Sequence, residues 1–189
     1  VAVCAAAMRI ADYKKVNWGI LTDSKKMTAK GRASWYQEAL MLRDVGKIRF
    51  SVVYRSNAFI DKKGISRAIR ECIAKALEDL QIAPEECAVL LDGSLKAPKE
   101  YIQQKTIIKG DQKEKVISLA SVIAKVSRDM KMETLHKKYP QYHWKANKGY
   151  GTALHYTAIV AHGLTPLHRK TFLTSPPKDR WGGLTKIKK

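Results

Sequence analysis

The feature that most constrains the fold of this chain is a long amphipathic pattern followed by two short apolar runs. Over residues 65–80, apolar side chains recur at steps of three and four, the spacing of one face of an α-helix. The runs 87–91 and 105–108 follow, and they lead into the loop sequences Asp-Gly and Lys-Gly-Asp. Short apolar runs of this kind predict buried strands. A helix followed by strands that feed loops indicates the α/β class.

The rest of the chain fits the same class. Residues 1–8 are apolar and predict a buried strand, and residues 48–54 alternate like a second one. Further helices are predicted from residue 28 to about residue 44, from residue 116 to about residue 139, and over residues 154–162. With 189 residues, the chain is predicted to form a single domain, in which residues 153–189 are a C-terminal helical and basic segment that becomes irregular near Pro176 and Pro177.

Charge indicates the class of partner. Lys and Arg outnumber Asp and Glu by 36 to 17, which gives a formal net charge of +19 spread along the chain. Such a surface favours a polyanion, because each phosphate contact releases counterions. A basic protein whose lysines only confer solubility remains an alternative. No apolar run is long enough for a membrane helix, and residues 1–8 lack the basic lead of a signal peptide, so a soluble cytoplasmic protein is predicted.

Two aspartates are the candidates for catalysis. Asp92 and Asp111 each follow a predicted strand, and the 111 − 92 = 19 positions between them leave room for a connection that brings both strand ends together. Carboxylate oxygens are ligands for hard cations such as Mg²⁺, and a metal pair can activate water for phosphodiester hydrolysis. Each aspartate also has a plainer interpretation. Asp92-Gly93 is an ordinary turn dipeptide, and Asp111 with Glu114 has the form of a helix capping box.

Several other positions are candidates for contacts with nucleic acid. In Lys148-Gly149-Tyr150, the lysine and glycine could let the backbone approach a phosphate, while Tyr150 offers a flat face to a sugar or base. The alternative is a flexible loop with a partly buried tyrosine. Additional candidate phosphate contacts are Ser24, Lys25, His168 and Arg169. Asp129 lies within a predicted helix and is expected to form a surface ion pair.

Taken together and in this order, these segments resemble ribonuclease HII of the bacterial type. The resemblance extends from near the start of the chain to about Phe172. The matching blocks are Asp23-Ser24-Lys25-Lys26, Leu91-Asp92-Gly93, Ile108-Lys109-Gly110-Asp111, residues 117–126, Arg128-Asp129, Tyr139-Pro140 with Tyr142, Lys148-Gly149-Tyr150-Gly151-Thr152 and Pro166-Leu167-His168-Arg169.

The resemblance implies a ribonuclease H-like mixed sheet flanked by helices. It implies endonucleolytic cleavage of RNA in RNA–DNA hybrids and at ribonucleotides embedded in DNA, by two-metal hydrolysis with Mg²⁺ or Mn²⁺ that gives a 5′-phosphate and a 3′-hydroxyl. Asp92 and Asp111 match the third and fourth of four family carboxylates, and Asp129 matches a structural position. Tyr150 is expected to pack on a deoxyribose. The enzyme is expected to act as a monomer with no obligate protein partner.

The chain departs from the family pattern at its front. The family's first strand ends in an Asp-Glu-x-Gly-Arg-Gly motif, and this motif is absent from the sequence. Residues 1–8 correspond to the strand that follows it. The chain is therefore expected to be a fragment that lacks the family's first strand. With that strand it would lack two carboxylates and the loop that binds the 2′-hydroxyl, and the chain as written is expected to be inactive. The alternative is a non-catalytic module that binds RNA–DNA hybrids.

Overall fold

The computed structural model of the protein describes residues 1–173, and this part of the chain contains four strands and eight helices. In chain order they are β1 (Ala2–Met8), α1 (Ile10–Tyr13), α2 (Ala29–Asp44), β2 (Ile48–Tyr54), α3 (Asn57–Lys63), α4 (Ile65–Glu78), β3 (Val89–Asp92), β4 (Gln104–Ile107), α5 (Gly110–Lys113), α6 (Lys115–Lys138), α7 (Trp144–Asn147) and α8 (Ala153–His162). Single 3₁₀ turns occur at Pro84–Glu86, Pro140–Tyr142 and Lys170–Phe172. The predicted α/β class is confirmed.

The chain divides into two compact units. The first contains residues 1–55 and 66–127, and the second contains residues 56–65 and the chain from Arg128 onward. Helix α6 begins in the first unit and ends in the second. That the whole chain forms a single domain stays a prediction.

Strands β1 and β2 form an antiparallel pair in the first unit, in register from Ala2 opposite Tyr54 to Met8 opposite Ile48. Side chains of β1 alternate between two apolar clusters. Cys4 and Ala6 pack against the cluster that includes α2 and the start of α6, and Val3 packs against the cluster that includes α4 and β3. Because both faces of β1 are packed, its sequence is apolar throughout rather than alternating. The strand is half-buried along its length rather than fully buried as predicted.

Strands β3 and β4 form a parallel pair that places Asp92 opposite Ile107. The described strands thus make one antiparallel and one parallel pair, which accounts for the mixed character expected from the sequence. The prediction that β4 is buried is wrong. Lys105 and Thr106 are exposed, as is Ile108 just beyond the strand, because β3 is the only strand that pairs with β4 in the described residues.

The four predicted helices are found with both ends within two residues of those expected. Thr28 caps α2, since its Oγ1 accepts a hydrogen bond from the Gly31 backbone N–H at 3.0 Å. Helix α4 buries Ala68, Cys72 and Ala76 completely, in line with its three- and four-residue spacing.

The second unit has its own core. It consists of Tyr142, Trp144, Ala158 and Ile159, with the end of α6 packed against it. The Tyr142 and Trp144 rings stack with their centroids 5.3 Å apart. The predicted basic end of the chain, residues 174–189, lies outside the described residues. No helix among residues 1–173 has the length and apolar character required to span a membrane.

Candidate active site

Asp92 is the last residue of β3, at the end of the strand that pairs with β4. The carboxyl ends of parallel strands meet at one edge of a sheet, so the residues that follow β4 come close to Asp92. The contact is direct, because the Gly110 backbone N–H donates a hydrogen bond of 2.7 Å to Asp92 Oδ1. The predicted convergence of the two strand ends is therefore present in the structure.

Gly110 makes this approach possible. A Cβ atom at this position would lie 2.7 Å from Ile117 Cδ1 and 3.4 Å from Asp92 Oδ1, and the first distance is shorter than a normal contact. The preceding residue, Lys109, has a left-handed backbone with φ of 56°, which turns the chain from β4 into α5. Gly110 therefore lets the backbone that carries Asp111 pass directly beside Asp92.

We expect Gly110→Ala to lower the free energy of unfolding by about 1 to 3 kcal/mol, because the added methyl group overpacks this contact. Ile117→Val removes the Cδ1 atom that the new methyl group would meet. In urea unfolding, the double variant should therefore lose less stability than the sum of the two single variants. Strictly additive losses would show that the Ile117 contact is not what excludes a side chain at Gly110.

Asp111 lies in the first turn of the short helix α5 rather than before a helix, so the capping-box interpretation is wrong. Helix α5 begins after Lys109, and the Glu114 backbone N–H donates to the Gly110 carbonyl. Burial raises the pKa of Asp111 above its ordinary value, and the negative charges of Asp92 and Asp23 raise it further. The charge of Lys25 opposes this shift. Asp111 thus shares its surroundings with two other carboxylates.

The third carboxylate, Asp23, is one that sequence reasoning missed as a site residue. It is buried, and its negative charge is one of the causes that raise the pKa of Asp111. Asp23 Oδ1 accepts the Lys25 backbone N–H at 2.9 Å, and Oδ2 accepts the Gln112 side-chain amide at 3.4 Å. The block Asp23-Ser24-Lys25-Lys26 was the available signal, but nothing local showed that it meets a residue 89 positions away.

The loop that carries Asp23 is bound to the start of α6. Lys115 Nζ donates to the Leu21 carbonyl at 2.6 Å, and the Ser24 and Ser121 hydroxyls are 2.9 Å apart. Ser24 is buried, so its hydroxyl anchors the loop, and its role as a phosphate contact stays a prediction. Lys25 is exposed, and its positive charge is close enough to Asp111 to oppose the rise in the pKa of Asp111. An exposed lysine beside the carboxylates suits a contact with phosphate.

The donor set suits a divalent cation. Asp92, Asp111 and Asp23 provide only carboxylate oxygens, which Mg²⁺ and Mn²⁺ prefer. A cation would also relieve the repulsion that raises the pKa of Asp111. Among residues 1–173, no group of three or more acidic, histidine or cysteine side chains already has the geometry of a metal site. The residues therefore fit a metal through their chemistry, and the metal itself stays a prediction.

In the second unit, the predicted Lys148-Gly149-Tyr150 cluster forms a tight turn. Lys148 and Gly149 have positive φ angles of 49° and 73°. Asn147 organises the turn, because its Oδ1 accepts the Gly149 N–H at 2.8 Å and its Nδ2 donates to the Tyr142 carbonyl at 2.7 Å. Lys148 Nζ forms an ion pair with Glu133 at 2.6 Å, whereas Tyr150 is 56 % exposed. The turn therefore presents the tyrosine ring at the surface.

His168 and Arg169 occupy different environments. His168 is buried, and its Nδ1 accepts the Thr165 backbone N–H at 3.0 Å. Burial, together with the nearby His155, lowers the pKa of His168 to about 4, so the imidazole is neutral. This placement favours a structural role, and a nucleic-acid contact by His168 stays a prediction. Arg169 is only partly buried, and its guanidinium lies 3.9 Å from the centre of the Phe172 ring.

Comparison with known proteins identifies the family. The model of the family described as Ribonuclease HII matches residues 1–175. Ribonuclease HII of Anaplasma phagocytophilum is 40 % identical over 170 residues, which cover 90 % of this chain and 78 % of that protein. Ribonuclease HII of Parabacteroides distasonis is 39 % identical over 176 residues, covering 93 % and 84 % of the two chains.

Solved structures show the same fold. A chain from the PCNA:RNase HII complex of Archaeoglobus fulgidus superposes with a TM-score of 0.69 at 20 % identity, covering 93 % of this chain and 87 % of that one. Ribonuclease H2 of Pyrococcus horikoshii gives a TM-score of 0.64 at 20 % identity, with 90 % and 93 % covered. The fold, the family model and the sequence relatives agree, and the chain belongs to the ribonuclease HII family.

Proposed function

We propose that this protein is an endoribonuclease that hydrolyses the RNA strand of RNA–DNA hybrids and cuts at ribonucleotides embedded in duplex DNA. The observation that carries the proposal is the contact between the Gly110 backbone and the Asp92 carboxylate, which brings Asp111 beside Asp92. In a chain with a net charge of +19, neighbouring acidic side chains at the end of a strand pair are expected to serve chemistry rather than solubility.

The proposed reaction is hydrolysis with water as the nucleophile, giving a 5′-phosphate and a 3′-hydroxyl. Asp92 and Asp111 would hold Mg²⁺ or Mn²⁺, which would activate the water and stabilise the leaving oxygen. Asp23 accepts a hydrogen bond from the side chain of Gln112, the residue after Asp111, and would thereby help to position Asp111. Lys25 is exposed beside the carboxylates and would contact the phosphate that is cut.

Substrate contacts are also proposed for the second unit. The exposed Tyr150 ring would pack on a deoxyribose, where a 2′-hydroxyl would intrude, and this would favour an RNA-to-DNA junction. The Gly149 backbone and Arg169 would contact the strand that carries this sugar. Lys148 would join them after exchanging its ion pair with Glu133 for a phosphate. We propose a cytoplasmic monomer without an obligate protein partner.

A comparison of two chains tests the proposed activity. Residues 1–189 should bind an RNA–DNA hybrid without cutting it, because Asp92 and Asp111, even with Asp23 nearby, are too few to hold two metals against their mutual repulsion. A chain extended by a strand with the Asp-Glu-x-Gly-Arg-Gly motif should cut the hybrid in Mg²⁺ or Mn²⁺ and stop on addition of EDTA. The measurement is the rate of product formation from an end-labelled hybrid. If the extended chain binds but never cuts, the non-catalytic binding module is correct.

A further inference from the structure

Arg128, near the middle of α6, is partly buried and lies beside Tyr150 in the second unit. Its guanidinium carbon is 5.0 Å from the centre of the Tyr150 ring. Its Nη1 atom is buried and donates no hydrogen bond to any of residues 1–173. The Asp129 carboxylate is 3.9 Å away, which is too long for a hydrogen bond. Arg128 therefore keeps an unused donor beside an exposed aromatic ring.

Arg169 is brought to this unit's surface by a segment that helix α3 holds in place. Asn57 Nδ2 donates to the Pro166 carbonyl at 2.6 Å and to the His168 carbonyl at 3.1 Å. On the next turn of α3, the Asp61 carboxylate accepts the backbone N–H groups of Lys170 and Thr171 at 2.9 and 3.2 Å. Because the backbone is held on both sides of it, Arg169 has a defined position rather than that of a residue in a loose tail.

The two guanidinium groups are close enough to repel each other. Burial lowers the pKa of Arg169, and the positive charge of Arg128 is the next cause of the shift. Asp61 and Tyr150 oppose it without reversing its direction. A partly buried guanidinium whose pKa is lowered by a neighbouring positive charge marks a place where a bound anion is stabilising.

We infer that Arg128 and Arg169 together bind one phosphodiester group of a nucleic-acid backbone, beside the exposed face of Tyr150. Guanidinium forks match the geometry of phosphate oxygens, and the unused Arg128 Nη1 provides a donor for one of them. The aromatic ring provides a surface for the adjoining sugar. The inference rests on the proposed function only in taking nucleic acid as the ligand.

Such a site has a defined role in recognition. Phosphate contacts carry no sequence information, but they set the register of a strand on the protein. A phosphate held by Arg128 and Arg169 would place the neighbouring sugar on Tyr150. The arginine pair would therefore decide which sugar the tyrosine meets, and α3 would hold Arg169 in place through Asn57 and Asp61.

The test is equilibrium binding of the 1–189 chain to an RNA–DNA hybrid in EDTA, measured over a series of salt concentrations. Arg128→Gln and Arg169→Gln should each reduce the slope of log K against log salt by about 0.9, the value for one lost phosphate contact. The double variant should lose about the same single contact, because both arginines bind one phosphate. Arg128→Lys should restore most of the slope, because the positive charge is retained.

Arg43 provides a matched control. Its guanidinium also lies over an aromatic ring, 5.4 Å from the centre of Phe50, and also has an acidic neighbour, Asp44. Arg43→Gln removes the same charge and the same kind of ring contact, so its slope should stay close to that of the parent.

The outcomes separate this inference from the proposed function. Parent-like slopes in both glutamine variants would overturn the phosphate site, whether or not the extended chain cuts hybrids. Lower melting temperatures with unchanged slopes would also overturn it and leave Arg128 a structural role only. Slopes that fall as expected, while the extended chain fails to cut, would support the phosphate site and refute the nuclease activity.

Discussion

Asp92→Asn should reduce hybrid cleavage by the extended chain roughly a thousandfold, because losing a proposed metal ligand would remove several kcal/mol of transition-state stabilisation. Asn is the appropriate replacement because it changes the charge of the side chain and keeps its shape. Asn retains the Oδ1 atom that accepts the Gly110 N–H, so the contact between the strand ends persists while one negative charge is lost. Initial rates at saturating hybrid, measured beside a melting curve, separate a loss of chemistry from a loss of folding.

Asp44→Asn is the control for this variant. Asp44 is an exposed aspartate at the end of α2 that forms an ion pair with Arg43 on the surface of the same unit. Its replacement removes the same charge and should leave the cleavage rate unchanged. An Asp92→Asn enzyme that cut at the parent rate would show that Asp92 is a turn residue and that the metal is held elsewhere.

The second large effect is a loss of stability in mild acid, caused by the buried His168. Its pKa is lowered from 6.5 to about 4 by burial, with a further contribution from His155. Between pH 6.5 and pH 4 this imidazole is therefore protonated in the unfolded chain but neutral in the folded one. Its contribution to the free energy of unfolding is fully present above pH 6.5 and is lost as the pH is lowered. From pH 7.5 to pH 5, this linkage costs about 2 kcal/mol.

Urea unfolding at intervals between pH 7.5 and pH 5 measures this effect. Burial also lowers the pKa of His155, so it adds to the loss in the same direction. His168→Gln should be less stable than the parent at pH 7.5 but should lose less of its remaining stability on acidification. His143→Asn is the control, since His143 is exposed and Asn tolerates its left-handed backbone. A parent chain whose stability did not change over this range would contradict a neutral, buried His168.

The candidate active-site carboxylates show how much of the site could be predicted from the sequence without the structure. Asp92 and Asp111 were found because each follows a recognisable apolar run, and their separation of 111 − 92 = 19 positions leaves room for two neighbouring parallel strands. Asp23 was missed as a site residue, because its meeting with Gln112 and Asp111 depends on how its loop packs on the start of α6. No spacing along the chain encodes a contact between residues 89 positions apart.

The sequence by itself determined the four strands, the helices α2, α4, α6 and α8, and the order of these elements, because a repeating apolar spacing shows which side chains of an element are buried. Helix α4 and strand β2 follow from this local rule. Only the tertiary structure decided that β4 is exposed, that His168 is buried and neutral, and that Arg128 lies beside Tyr150. The burial and the contacts of these residues depend on which elements pack together. Because the hydrophobic effect is non-directional, the local sequence of an element does not specify its packing partners.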